Sequence, residues 1–184
     1  MEYDRSLEAD MNDASMEELE AASSLLDSLL ALTDRDLELI NEQCVLQNAI
    51  TPGEISRFTT AYISAKRIRP DDLASPEEWL TEIRLWGEII DSRNFKGYRT
   101  VPVIFADTSQ GLEPSLIRRA MFNWADAWIR GVFSPEEAYT EFEKIHPFID
   151  GNGRLGHLIW AVSLVRIGQP WPVTLPPDVF GGAK

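Results

Sequence analysis

"HPFIDGNGRLGH", residues 146–157, puts a His, an acid, two Gly around an Asn, and an Arg into nine positions, then ends on a second His. The pattern "PEEAYTEFEKI" (135–145) runs into it and "GRLGHLIWAVSLVRIG" (153–168) runs out, both with helical spacing. The segment therefore reads as a loop that opens a helix. Free backbone N–H groups and the dipole at a helix N-terminus favour an anion. Gly151 and Gly153 carry no Cβ, so backbone amides there can come close to phosphate oxygens. Asn152 offers a side-chain N–H to the same group, and Arg154 a planar fork suited to phosphate. Asp150 supplies a hard oxygen ligand of the kind that holds Mg²⁺ against phosphates. Phe148 is the apolar anchor that fixes the loop on the core. His146 is the candidate general base, since a neutral imidazole near pH 7 can take the proton of a hydroxyl attacking phosphorus. Each piece alone has a plain structural reading, as a packed His or a turn. In combination they are the parts of phosphoryl or nucleotidyl transfer.

Outward from this loop the chain reads as helical. "SMEE" at Ser15, "TDRD" at Thr33, "TPGE" at Thr51, "SPEE" at Ser75 and "SPEE" at Ser134 each put a hydroxyl three residues before an acid. That spacing is a helix start, and Pro at the first helical position suits three of them. Helices are expected over 16–32, 34–50, 52–68, 76–90, 114–131, 135–145 and 153–168, the last being the most apolar and central. Leu80, Ile83, Leu85, Trp86 and Ile89 read as core packing. "NFKGYRTVPVIFADTS" (94–109) breaks the pattern with β-branched and aromatic residues, and predicts a short hairpin or extended flap. The Pro- and Gly-rich tail, 169–184, cannot continue a helix and is expected to wrap the surface or lack order. The fold class is all-α, with one β excursion.

Composition bounds the rest. The chain has 184 residues, 44% of them hydrophobic, enough for one core. Of the net charge of −13, residues 1–54 carry −12, with 14 Asp and Glu against 2 Arg. This acidic leader argues against nucleic acid or an anionic membrane as partner. It reads as a solvated helical face, a docking surface for a basic partner, or a regulatory segment. Cys44 is the single cysteine, so no internal disulfide forms, which fits a reducing compartment. The start lacks the charged and apolar regions of a secretory leader, and no run approaches the roughly 18 apolar residues of a membrane span. The expectation is a cytoplasmic protein, or an effector translocated by another route.

"HPFIDGNGR" (146–154) resembles, without a gap, the H-P-F-x-(D/E)-G-N-G-R-x-x-R signature of Fic-domain proteins. "GYRTVPVIF" (97–105), "PSLIRRAMFNWADAW" (114–128) and "AYTEFEKIHPF" (138–148) are similar to the flap, the next helix and the helix that delivers the loop. The resemblance spans about residues 52–168, between a helical leader (1–51) and the tail (169–184). It implies a Fic-like helical bundle with a β-hairpin flap. It also implies an enzyme that transfers AMP from ATP, with Mg²⁺, to a hydroxyl side chain of a target protein. By that resemblance His146 is the base and Asp150 holds the metal. Gly151, Asn152 and Gly153 form the anion hole and Arg154 contacts the phosphates. Gly97, Tyr98, Arg99, Thr100 and Val101, in the flap, pair with the target's main chain.

His157 is the departure, because the signature has Arg there. It lies three residues after Arg154, on the same helix face. Losing one charge-assisted hydrogen bond, about 1.5–3 kcal/mol, weakens triphosphate orientation roughly 10–100-fold. Three readings stay open. His157 is a weaker phosphate contact and AMP transfer persists. Or the donor is another nucleotide or a diphosphate-linked group. Or the domain binds nucleotide with little turnover and serves regulation or a partner. The family's inhibitory pattern, S/T-x-x-x-E-G/N, has no clean match in residues 1–51, although Glu17, Glu18 and Glu20 fall in the leader.

Overall fold

Three hydroxyl–acid pairs set three helix starts as the sequence predicts. Thr51 with Glu54, Ser75 with Glu78 and Ser134 with Glu137 form reciprocal capping boxes, each with Pro in the first turn. A computed structural model describes residues 32–105 and 110–178. The helices are α1 (Asp34–Leu46), α2 (Pro52–Arg67), α3 (Pro76–Ile90), α4 (Pro114–Ile129), α5 (Pro135–Ile145) and α6 (Asn152–Arg166). Two 3-10 turns, Pro70–Asp72 and Ser92–Lys96, complete the regular structure among the described residues. The fold is an all-α bundle. Up to residue 31 the expected helix 16–32 lies outside the described residues, as do Glu17, Glu18 and Glu20.

α6 is the axis of the bundle. Every residue from Asn152 to Ser163 is buried, so the helix has no solvent face. α5, α3 and α2 pack around it. Beside it, Trp79 of α3 stacks on Trp128 of α4 at 4.4 Å between centroids and meets Trp86 edge-on at 5.5 Å. The Trp128 indole donates to Ser163 Oγ on α6 at 2.7 Å, which ties the aromatic cluster to the axis.

The α3 stripe differs from expectation. Trp79, Ile83, Trp86 and Ile90 are buried, whereas Leu85 is 46% exposed and Leu80 and Ile89 only half-buried. The spacing 79, 83, 86, 90 is the true helical seam. The expected hairpin also shrinks. Ser92–Lys96 coils into a 3-10 turn, and 97–105 is extended without a ladder. An antiparallel bridge joins Ile104 to Gln110, with Gly111 N–H donating to the Val103 carbonyl; residues between, 106–109, lie outside the described part. No strand occurs among the described residues.

Contacts divide the chain after Thr33, so α1 belongs with the bundle. Leu39, Ile40, Gln43 and Cys44 are its buried side. Buried Asp36 accepts from the Tyr62 hydroxyl and from Lys66 of α2. The tail follows this seam. The Trp171 indole donates to Tyr62 Oη, and Arg35 Nε to the Val173 carbonyl. No helix among the described residues is long and apolar enough to cross a membrane.

Candidate functional site

α5 ends at His146, which takes left-handed backbone angles (φ 48°, ψ 62°). That conformation is uncommon outside Gly and turns the chain sharply into the loop. It is held by Arg99. The Arg99 N–H donates to the Pro147 carbonyl, and Arg99 Nε to the His146 carbonyl at 2.7 Å. The His146 ring meets Phe105 edge-on at 5.1 Å, and its Nδ1 is buried without a partner. Burial, with the Arg99 charge adding to it, lowers its pKa to about 4. The imidazole is therefore neutral at pH 7, the form a general base needs.

The loop is braced from within. Phe148 is fully buried, with its ring against Gly87 and edge-on to Tyr98 at 5.5 Å. The Asn152 side chain accepts from the Phe148 N–H and donates to the Phe148 carbonyl. Both ends of that amide thus take part in closing the loop. It braces the cradle, and its main-chain N–H and the second side-chain N–H remain for an anion. Asn94, buried and unnoticed in the sequence, donates from Nδ2 to the Gly87 and Asp150 carbonyls.

Gly151 caps α6 with φ 79°, and no side chain caps the helix there. The first amides of α6 have no carbonyl within the helix to meet. Arg154 lies beside them. It is 3% exposed, and its Nε and Nη1 are buried without any partner. Its Nη2 reaches only to 3.7 Å from Asp150 Oδ1. A buried guanidinium with idle donors costs several kcal/mol unless an anion meets it. Asp150 is half exposed; it accepts from the Gly151 N–H and from Arg93 Nη2 at 2.6 Å. Arg93 also grips Asp91 with both nitrogens, holding that carboxyl below the usual range. Among the described residues no group of three or more His, Cys, Asp or Glu is placed to hold a metal. Asp150 is the carboxylate of this loop that could hold a cation, with phosphate and water completing its shell, an arrangement Mg²⁺ accepts.

His157 stands apart from the cradle. It is fully buried among Phe58, Tyr62 and Trp160, and neither ring nitrogen has a partner. Burial lowers its pKa to about 4, so it is neutral. Its ring meets α2, whereas Arg154 meets Asp150. Another residue the sequence did not reveal is Gln47, just past α1. A Cβ on Gly153 would collide with the Gln47 amide, and Gln43 Nε2 donates to the Gly153 carbonyl. Asn48, left-handed at φ 52°, ends that segment; "LQN" was the available signal.

The flap residues divide. Arg99 is 2% exposed and spends its guanidinium on the carbonyls of Val101, Leu112 and His146. It knits the flap to the loop and does not face a target. Tyr98 packs inward on Phe148, and Gly97 turns the chain at φ 88°. Thr100 and Val101 are exposed.

Residues 78–164 match the model of the Fic/DOC family. Over 37 residues the chain is 49% identical to a Fido domain-containing protein of Dictyostelium discoideum; this covers 20% of the chain and 26% of that protein, so the chain spans about a quarter of the curated relative it matches. The fold is similar to the crystal structure of a Fic domain containing signaling protein from Bacteroides thetaiotaomicron. The TM-score is 0.55 at 20% identity, over 85% of this chain and 76% of that one.

Proposed function

From the match of residues 78–164 to the Fic/DOC family model, we propose that the chain transfers AMP from ATP to a Ser, Thr or Tyr hydroxyl of a target protein. The observation that carries this reading is Arg154, a buried guanidinium with two idle nitrogens beside an uncapped helix N-terminus. Such a site is built for phosphate. His146 takes the target's hydroxyl proton as the oxygen attacks the α-phosphorus. The bond from the α-phosphorus to the bridging oxygen breaks and pyrophosphate leaves. Amides at Gly151–Gly153 and Arg154 hold the charge that builds on the phosphoryl oxygens. Mg²⁺ on Asp150 would supply charge neutralisation between the phosphates. Thr100 and Val101 offer exposed edge to the target's backbone.

The direction of His157 favours a second reading. With its ring set among Phe58, Tyr62 and Trp160, no cation at that position supports a γ-phosphate. A donor with a diphosphate link, or another nucleotide, then serves as well as ATP. A domain that binds nucleotide with little turnover is the limiting case, acting through a regulatory partner.

Mass spectrometry after incubation with Mg²⁺, candidate targets and ATP, or UTP, GTP and CDP-linked donors, tests these readings. Adenylyl mass on a hydroxyl, abolished in His146→Ala with nucleotide binding retained, supports the first. Addition from another donor alone supports the second. Equal labelling by wild type and His146→Ala sinks the base assignment.

A further inference from the structure

A cavity of about 690 Å³ lies between α3, the flap and the start of α4. None of residues 146–157 lines it, so it is separate from the cradle. Its size falls within the range of small-molecule pockets, about 300–1,000 Å³. Arg84 of α3, Lys96 and Arg118 of α4 line it, against the single acid Glu77. Neither Arg84 nor Arg118 makes an ion pair or side-chain hydrogen bond among the described residues, and both are exposed. The Lys96 ammonium lies 5.7 Å over the Phe95 ring and pairs with no carboxylate among the described residues.

Two further features converge there. Ser115 sits in the first turn of α4, whose N-cap, Glu113, makes no side-chain cap bond. Among the described residues the Tyr98 hydroxyl has no hydrogen bond, and the Arg84 and Arg118 charges both act on it, although burial dominates and raises its pKa. Two planar forks, an ammonium, a hydroxyl and a helix start around one cavity are the donor set of a phosphate. Apolar Leu80 and Phe122 offer a wall for an organic body.

We propose that this cavity is a second anion site, taking a small phosphorylated molecule whose phosphate lies between Arg84 and Arg118. Tyr98 links it to the catalytic loop, because the same ring packs on Phe148. The site stands whether or not the cradle transfers nucleotide.

Hydrogen–deuterium exchange of the full chain with inorganic pyrophosphate locates binding directly. The expected result is protection at residues 96–100 and 115–119, lost in Arg84→Gln/Arg118→Gln, while protection at 150–154 persists. Calorimetry on that variant is expected to show at least a tenfold weaker second binding event. Both residues are exposed, so the variant is expected to fold, which unchanged circular dichroism checks. Protection confined to 150–154, or protection at the flap unchanged in the variant, overturns the proposal. So does tighter binding of a polyglutamate peptide than of pyrophosphate at the same residues, which would make this a peptide-docking surface.

Discussion

Arg99 Nε donates to the main-chain carbonyl of His146 at 2.7 Å, while its other nitrogens hold Val101 and Leu112. One buried side chain thus ties both legs of the flap to the residue proposed as base. Arg99→Met leaves these part-buried carbonyls without that donor, which costs up to about 1–3 kcal/mol each before water and relaxation offset it. The expected outcome is a loss of about 3 kcal/mol in urea unfolding and a fall in transfer rate larger than the fall in nucleotide affinity. Arg99→Lys retains one donor direction and recovers part of each. Nucleotide affinity and rate falling together would show that Arg99 does not position His146 separately from the cradle.

Gly153 and Gln47 make a second linked pair. Gly153→Ala drives a Cβ into the Gln47 amide, the far end of a flexible, exposed side chain that can swing aside, so the cost is expected below about 1 kcal/mol. Gln47 is exposed, so Gln47→Ala alone is expected to leave stability within about 0.5 kcal/mol of wild type. The double variant should recover most of the loss. A double-mutant cycle by thermal unfolding measures this, and strictly additive effects would mean that the two residues do not meet.

What the sequence disclosed follows from the range of its signals. Thr51, Ser75 and Ser134 set helix starts through partners three residues away, so local spacing was sufficient. The loop 146–154 was legible because its chemistry is contiguous. Arg99, Asn94 and Gln47 were not, since each acts across 47, 56 and 106 positions on groups no local pattern names. That the Asn152 amide also braces the Phe148 main chain at both ends is a contact no local pattern names. The β-branched residues of 97–105 were read as a short hairpin or extended flap, and among the described residues this stretch is extended and pairs through the Ile104–Gln110 bridge.

His157 gives a pH prediction. Its pKa falls to about 4 on folding because burial disfavours the charged ring. Its contribution is intact above about pH 6.5 and is lost as pH falls through 4. Each unit crossed costs about 1.4 kcal/mol. His146, also lowered to about 4, acts in the same direction. His157→Leu is expected to remove about 1.4 kcal/mol per pH unit of acid destabilisation, relative to wild type, between pH 6.5 and 4.5 in unfolding experiments. His157→Arg buries an unpaired charge among Phe58, Tyr62 and Trp160, costing about 3–5 kcal/mol. Stability equal to wild type together with tenfold tighter ATP binding would show that an Arg there reaches the cradle instead.

Glu143 acts in the opposite direction. Its Oε1 is buried without a partner, against Gly156 and Tyr139, and burial raises its pKa to about 8. Below about pH 4.5 the folded and unfolded carboxyl are both protonated and there is no penalty. Between pH 4.5 and 8 the unfolded chain releases the proton while the folded one keeps it, so stability declines with pH by about 1.4 kcal/mol per unit. Glu143→Gln keeps the shape and cannot ionise. It is expected to match wild type near pH 4.5 and to exceed it by a few kcal/mol at pH 8, with the curves diverging between. Parallel curves across that window would place the Glu143 carboxylate in contact with water or with a cation, and would remove this source of alkaline instability.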